Sequence, residues 1–202
     1  KQIVCFGDSN TYGYIPKTGR DIPGVYDGQL VEEKLGYSKY HIEEEGLCGR
    51  TTIFEDPLRD NRNGSRMLPA LLETHQHADL IIVMLGTNDC KAAYGASAEM
   101  IEKGIEKTCR ANTRGAAPDS KISAHIAHLA GRESMETGND PEFSEKSVAV
   151  SKHLAKCLSS DCRKMKILHF LMRLHMQSQV QPDQEHMDPE NHRLLAEAIY
   201  QK

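Results

Sequence analysis

Residues 3–14 read IVCFGDSNTYGY. Ile3-Val4-Cys5-Phe6 is a short, unbroken apolar run of strand-forming residues, and it stops at once in Gly7-Asp8-Ser9-Asn10, four residues of turn type. A strand covered on one face alternates apolar and polar side chains, whereas a strand covered on both faces does not. The same signature returns, more clearly, in Asp79-Leu80-Ile81-Ile82-Val83-Met84-Leu85-Gly86, which also runs into a polar turn, Thr87-Asn88-Asp89. Strands of this kind belong to a parallel sheet with helices packed on both sides.

Working outward, a weaker run at Tyr40-His41-Ile42 is expected to end in Glu43-Glu44-Glu45-Gly46, and further strands are expected within residues 121–129 and 166–171. Helical spacing fills the intervals. Residues 28–35 form a short amphipathic stretch. Met67, Leu68, Leu71 and Leu72 mark a helix over 66–77, and residues 92–112 form a long charged one. Val148, Leu154, Ala155 and Leu158 mark 141–159, and Leu194, Leu195, Ala198 and Ile199 mark 189–200. This β-α alternation predicts a single α/β domain over 1–202, with right-handed crossovers and a five-stranded parallel sheet in flavodoxin-like order. Residues 55–65 and 131–141 read as long surface loops; the first is placed either as a wall of a pocket or as a subunit contact.

The composition narrows the function classes. The chain has 202 residues, a formal net charge of -4 and no strongly basic stretch, which argues against nucleic-acid binding. No apolar run of membrane-spanning length occurs, and no signal peptide is visible ahead of the first strand. The six cysteines, Cys5, Cys48, Cys90, Cys109, Cys157 and Cys162, include no CxxC pair and read as reduced thiols of a cytoplasmic protein.

Ligands of open parallel sheets sit beyond the carboxyl ends of the strands. The residues expected there are Ser9, the loop Gly46-Leu47-Cys48-Gly49-Arg50-Thr51-Thr52, Asn88, and the pair Asp183 and His186. Acyl transfer needs a nucleophile, a base, an orienting group for the base and donors for the oxyanion. Ser9 supplies a hydroxyl, His186 a base, and Asp183, three residues earlier, an acceptor for the other ring N–H. The backbone N–H groups of Ser9 and Gly49 and the side-chain amide of Asn88 supply donors; at Gly49 a missing Cβ permits close approach of substrate. Asp8 is expected to hold its turn by hydrogen bonds and Asp89 to cap a following helix.

GDSN with Ser9, LCGRTT with Gly49, GTND with Asn88 and the D-x-x-H of Asp183 and His186 resemble, in order, the blocks of the SGNH hydrolases, also called GDSL esterases or lipases. Within that family the chain is similar to the small bacterial branch of arylesterases and acyltransferases. The resemblance implies a three-layer α/β/α fold and hydrolysis of small acetyl or short-chain acyl esters through an acyl-serine intermediate, with no metal or organic cofactor. Three features depart from the family pattern: Gln184-Glu185 where a glycine usually follows the aspartate, Cys48 in place of a small polar residue, and His125-Ile126-Ala127-His128 in place of a proline-rich run.

Other readings stand beside this one. The same site can pass its acyl group to an alcohol, as an acyltransferase, and the same fold without a working triad can serve as a carbohydrate-binding or scaffold protein, in either case as a homo-oligomer or not. His125 and His128 form an HxxH, but in a strand positions three apart face opposite sides, which disfavours a metal-dependent hydrolase. The second Asp/His pair, Asp188 and His192, is assigned to capping and to the surface, since Asp188 precedes Pro189-Glu190.

Overall fold

The computed structural model describes residues 1–15, 19, 27–75, 78–115, 125–128, 140–161 and 186–201. Among them a four-stranded, all-parallel sheet is formed by β1 (Gln2–Gly7), β2 (His41–Gly46), β3 (Ala78–Met84) and β4 (His125–His128), in the order β2-β1-β3-β4. This is the flavodoxin-like order through its first four strands. The fifth strand, expected at 166–171, lies outside the described residues.

The unbroken apolar runs have their predicted cause. Val4, Phe6, Ile81 and Val83 face a core closed by Leu68 and Leu72 of α3 (Gly64–Thr74), Ile101, Ile105 and Cys109 of α4 (Ala98–Gly115), and Leu154 of α5 (Glu145–Asp161). Ile3, Cys5, Ile82 and Met84 face the opposite core, closed by Val31 of α2 (Asp27–Leu35) and by Leu195 and Ala196 of α6 (Pro189–Tyr200). Alternate residues of the runs Ile3–Phe6 and Ile81–Met84 therefore enter different cores, which is why no polar side chain interrupts them. A short helix, α1 (Ser9–Tyr12), follows β1 directly.

Four expectations are corrected. β2 does not stop at Ile42 but runs through Glu43, Glu44 and Glu45 to Gly46. Its acids are tolerated because they are half-exposed and partnered: His41 Nε2 lies 2.9 Å from Glu43, and His75 Nε2 lies 2.7 Å from Glu45. The long helix begins at Ala98 rather than 92; two 3-10 turns, Asn88–Cys90 and Ala92–Tyr94, precede it, and Gly95 at φ 56° breaks the continuity. α5 begins at Glu145 rather than 141. His192 is not on the surface but 1% exposed. Its spacing to Leu195 and Ala196, three and four residues on, already placed it on the buried stripe of α6. Asp188 behaves as expected: its carboxylate accepts from the Asn191 N–H at 2.8 Å and Pro189 opens the helix.

Candidate active site

The site is assembled at the carboxyl ends of β1, β2 and β3. β1 turns into α1 with no linker. The Asp8 carboxylate accepts the Asn10 N–H at 3.0 Å, the Tyr12 N–H donates to the Asp8 carbonyl at 3.0 Å, and Gly13 closes the turn at φ 76°. Asp8 thus has the expected structural part. A Cβ on Gly7 would lie 2.0 Å from Thr11 Oγ1 and 2.9 Å from the Met84 carbonyl, so only glycine lets the turn sit this tightly on the sheet. Ser9 is the first residue of α1 and is buried.

His186, 177 residues later in the chain, meets it: its Nε2 lies 2.9 Å from Ser9 Oγ. Two residues without an expected role hold the imidazole there. The Met187 N–H donates to Asn10 Oδ1 at 2.9 Å, fixing the backbone beside His186 to the serine turn. The Tyr14 ring lies against the imidazole, with centroids 4.6 Å apart and planes tilted by 52°. Asp183, Gln184 and Glu185 lie outside the described residues.

Gly49 and Asn88 sit on neighbouring loops. Gly49 is buried at φ 83°, and a Cβ there would touch the Arg59 guanidinium at 3.0 Å. The requirement for glycine is thus the left-handed backbone and the packed guanidinium, in addition to any substrate. Arg50 organises the rest. Its Nη1 donates to the Gly7 carbonyl at 2.8 Å and also to the Glu45 carbonyl, and its guanidinium stacks 4.2 Å from the Phe6 ring centroid. It therefore ties the ends of β1 and β2 to the Gly49 loop. Burial lowers the Arg50 pKa only to about 10, so the cation persists at neutral pH. The Asn88 Nδ2 donates to the Arg50 carbonyl at 3.2 Å, which leaves the second amide hydrogen for another acceptor.

Asp89 does not act as a helix cap. Both of its carboxylate oxygens accept the Thr52 N–H at 3.0 Å, and one also accepts the Thr52 hydroxyl, so it clamps the Gly49 loop to the Asn88 turn. The loop 55–65 buttresses the same region: Arg62 Nε donates to the Cys48 carbonyl at 2.9 Å, and the Thr51 N–H donates to the Arg62 carbonyl at 2.9 Å. No local signal marks these bonds, because the partners are 37 residues apart for Thr52 and Asp89 and 38 for Arg50 and Asn88.

Burial also sets the charge of the site. Desolvation raises Asp8 from 3.8 to about 6, against the opposing pull of the Asn10 amide and Arg50, and raises Asp89 to about 7, against its Thr52 donors. Both folded values lie above the unfolded one. The folded state therefore holds protons that the unfolded chain releases, and this contribution to stability is lost as pH rises from about 4 through about 7. Asp89→Asn is expected to reduce the fall in stability between about pH 5 and about pH 8 by on the order of 2 kcal/mol. Urea unfolding at the two pH values measures it, and an unchanged difference would contradict the assignment. The Cys48 thiol is pushed up, first by burial and then by Asp8, which favours its protonated form.

A family model described as the GDSL-like Lipase/Acylhydrolase family matches residues 5–193. The chain belongs to this family. As a GDSL-like acylhydrolase of the SGNH type it is an enzyme, a carboxylic ester hydrolase, with an α/β fold. Its structure is similar to that of a carbohydrate acetylesterase family member from Sinorhizobium meliloti, at 31% identity and a TM-score of 0.90, covering 100% of this chain and 96% of that one. It is also similar to the M. smegmatis aryl esterase, at 29% identity and a TM-score of 0.89, covering 100% and 97%. The lipase/acylhydrolase from Enterococcus faecalis, at 17% identity and a TM-score of 0.69, shares the fold, with 100% of this chain and 94% of that one covered. A comparison with curated proteins gives no match. Among the described residues of this GDSL-like enzyme, no helix is long and apolar enough to cross a membrane, and no disulfide joins Cys5, Cys48, Cys90, Cys109 and Cys157.

Proposed function

We propose that this esterase cleaves acetyl or short-chain acyl esters through an acyl-serine intermediate, with Ser9 as nucleophile, His186 as base and Asp183 as the orienting acid. The observation that carries the reading is the 2.9 Å approach of His186 Nε2 to Ser9 Oγ, made between the two ends of the chain and away from solvent. At that distance Nε2 accepts the hydroxyl proton as Oγ attacks the carbonyl carbon. The imidazolium then gives the proton to the departing alcohol. A water attacks the acyl-serine with the same histidine as base, and the carboxylic acid leaves with Ser9 restored.

The oxyanion is assigned to three donors. The Ser9 N–H is the first amide of α1, a position with no acceptor within its own turn. The Gly49 N–H belongs to the loop held by Arg50 and Asp89, and the Asn88 amide is aimed by the Arg50 carbonyl. Such donors act because they are fixed before the charge develops. Asn88→Ala is expected to lower kcat for p-nitrophenyl acetate by about 100- to 1,000-fold with little change in KM. A change in KM alone would remove Asn88 from this role.

The small acyl group is supported by what the similar structures are called, a carbohydrate acetylesterase and an aryl esterase. Comparing kcat/KM for p-nitrophenyl acetate, butyrate and octanoate tests it. The reading expects acetate or butyrate to be preferred, and a preference for octanoate would contradict it.

A further inference from the structure

Away from the ester site, α4 and α5 bring together three side chains of metal-ligand type. Glu99 stands in the first turn of α4, and His153 and Cys157 stand four residues apart on α5. Residues at that spacing share one helix face. The α5 face bearing them meets α4, and His153 Nε2 lies 3.0 Å from Glu99 Oε1. One ligand atom from each of Glu99, His153 and Cys157 can be chosen so that all lie within 4.8 Å of one another. We propose that Glu99, His153 and Cys157 form a surface site for a zinc-type divalent cation, completed by water and bridging α4 to α5.

A bare ion pair between helices would need only the histidine and the carboxylate. The third group changes the chemistry. Thiolate and imidazole with one carboxylate is a mixed set suited to borderline transition cations and poorly suited to calcium or magnesium, which prefer all-oxygen shells. Zinc bonds of about 2.0–2.3 Å in a tetrahedron place ligand atoms about 3.3–3.8 Å apart. The three groups close to that spacing by side-chain rotation. Glu99 and His153 are free to move, being 57% and 55% exposed, while Cys157 is half-buried against the core and sets the fixed corner. Binding releases the thiol proton of Cys157 and displaces the His153–Glu99 hydrogen bond, with no change of oxidation state.

Cobalt(II) titration of the intact protein tests the site, because a cobalt–thiolate bond gives a charge-transfer band that oxygen and nitrogen ligands do not. One equivalent is expected to develop that band together with tetrahedral visible bands, and zinc is expected to abolish both. Cys157→Ser should remove the charge-transfer band, and His153→Ala and Glu99→Ala should each weaken cobalt binding at least tenfold, while p-nitrophenyl acetate hydrolysis by all three variants stays at the wild-type rate. Retained hydrolysis also shows that the variants are folded. A band that is absent from wild type, that survives Cys157→Ser, or that is unmoved by both other variants overturns the proposal.

Discussion

Ser9→Ala is expected to lower kcat for p-nitrophenyl acetate by roughly 10⁴- to 10⁶-fold. The size follows from the geometry: Oγ lies 2.9 Å from His186 Nε2, and removing it removes the atom proposed to bond the acyl carbon. The raised pKa of the Cys48 thiol favours its protonated form, the poorer nucleophile. His186→Ala should fall in the same range, and the double variant should be no worse than either single one, because a nucleophile and base in the proposed roles act as a unit. Independent, multiplying losses would mean that the two residues serve different steps. A Ser9→Ala variant retaining a tenth or more of the wild-type rate would reject the nucleophile outright.

Gly46→Ala is expected to destabilise the protein by about 3 kcal/mol or more and to depress activity in the fraction that remains folded. A Cβ at Gly46 would lie 2.2 Å from Tyr12 N, 2.5 Å from Tyr12 Cα and 2.6 Å from the Thr11 carbonyl carbon. These are backbone atoms of α1, which have no rotamer to retreat into. α1 must move, and it carries Ser9 at its start. Gly28→Ala is the matching control, because its Cβ would meet the Glu44 carboxylate, the mobile end of a side chain, at 2.6 Å. Gly28 also sits inside α2, where alanine is the better helix former. Urea midpoints and specific activities of the two variants should therefore diverge. Equal midpoints would show that α1 is not locked against the end of β2.

The elements easiest to read in the sequence were those whose residues answer to two cores at once. β1 and β3 are covered on both faces over Ile3–Phe6 and Leu80–Met84, so those runs are unbroken apolar stretches and the strands stand out. α6 was legible to the residue because Asp188 caps it and Pro189 begins it, and both signals are local. β2 was cut short because its stability comes from elsewhere. Its glutamates look like a loop until His41 and His75 are placed beside them, and His75 is 30 residues from Glu45 in the chain. His192 is polar yet lies on the buried stripe of α6, and its spacing to Leu195 is the local signal for that.

The same division runs through the active site. Ser9, Gly49 and Asn88 were recognisable because each sits in a short motif at a strand end, and His186 because it closes a D-x-x-H; the structure brings Ser9 and His186 into contact. The groups that hold them were not. Asn10 lies within the GDSN motif, but its bond to Met187 spans 177 residues. Arg50 looks like one more loop cation until its guanidinium is found bonded to carbonyls at the ends of two strands. Asp89 carries a capping signature that the fold overrides, since its carboxylate is taken by Thr52. Side chains that act on substrate leave a local mark; those that position them do so through pairings that a linear reading does not contain.

The most direct measurement is reaction of the native protein with a fluorophosphonate, followed by mass-spectrometric location of the adduct. A single adduct on Ser9, within the tryptic peptide of residues 2–17, and its absence from His186→Ala, is the result this account predicts. An adduct on any other residue, or labelling of Ser9 that persists at full rate without His186, would contradict it.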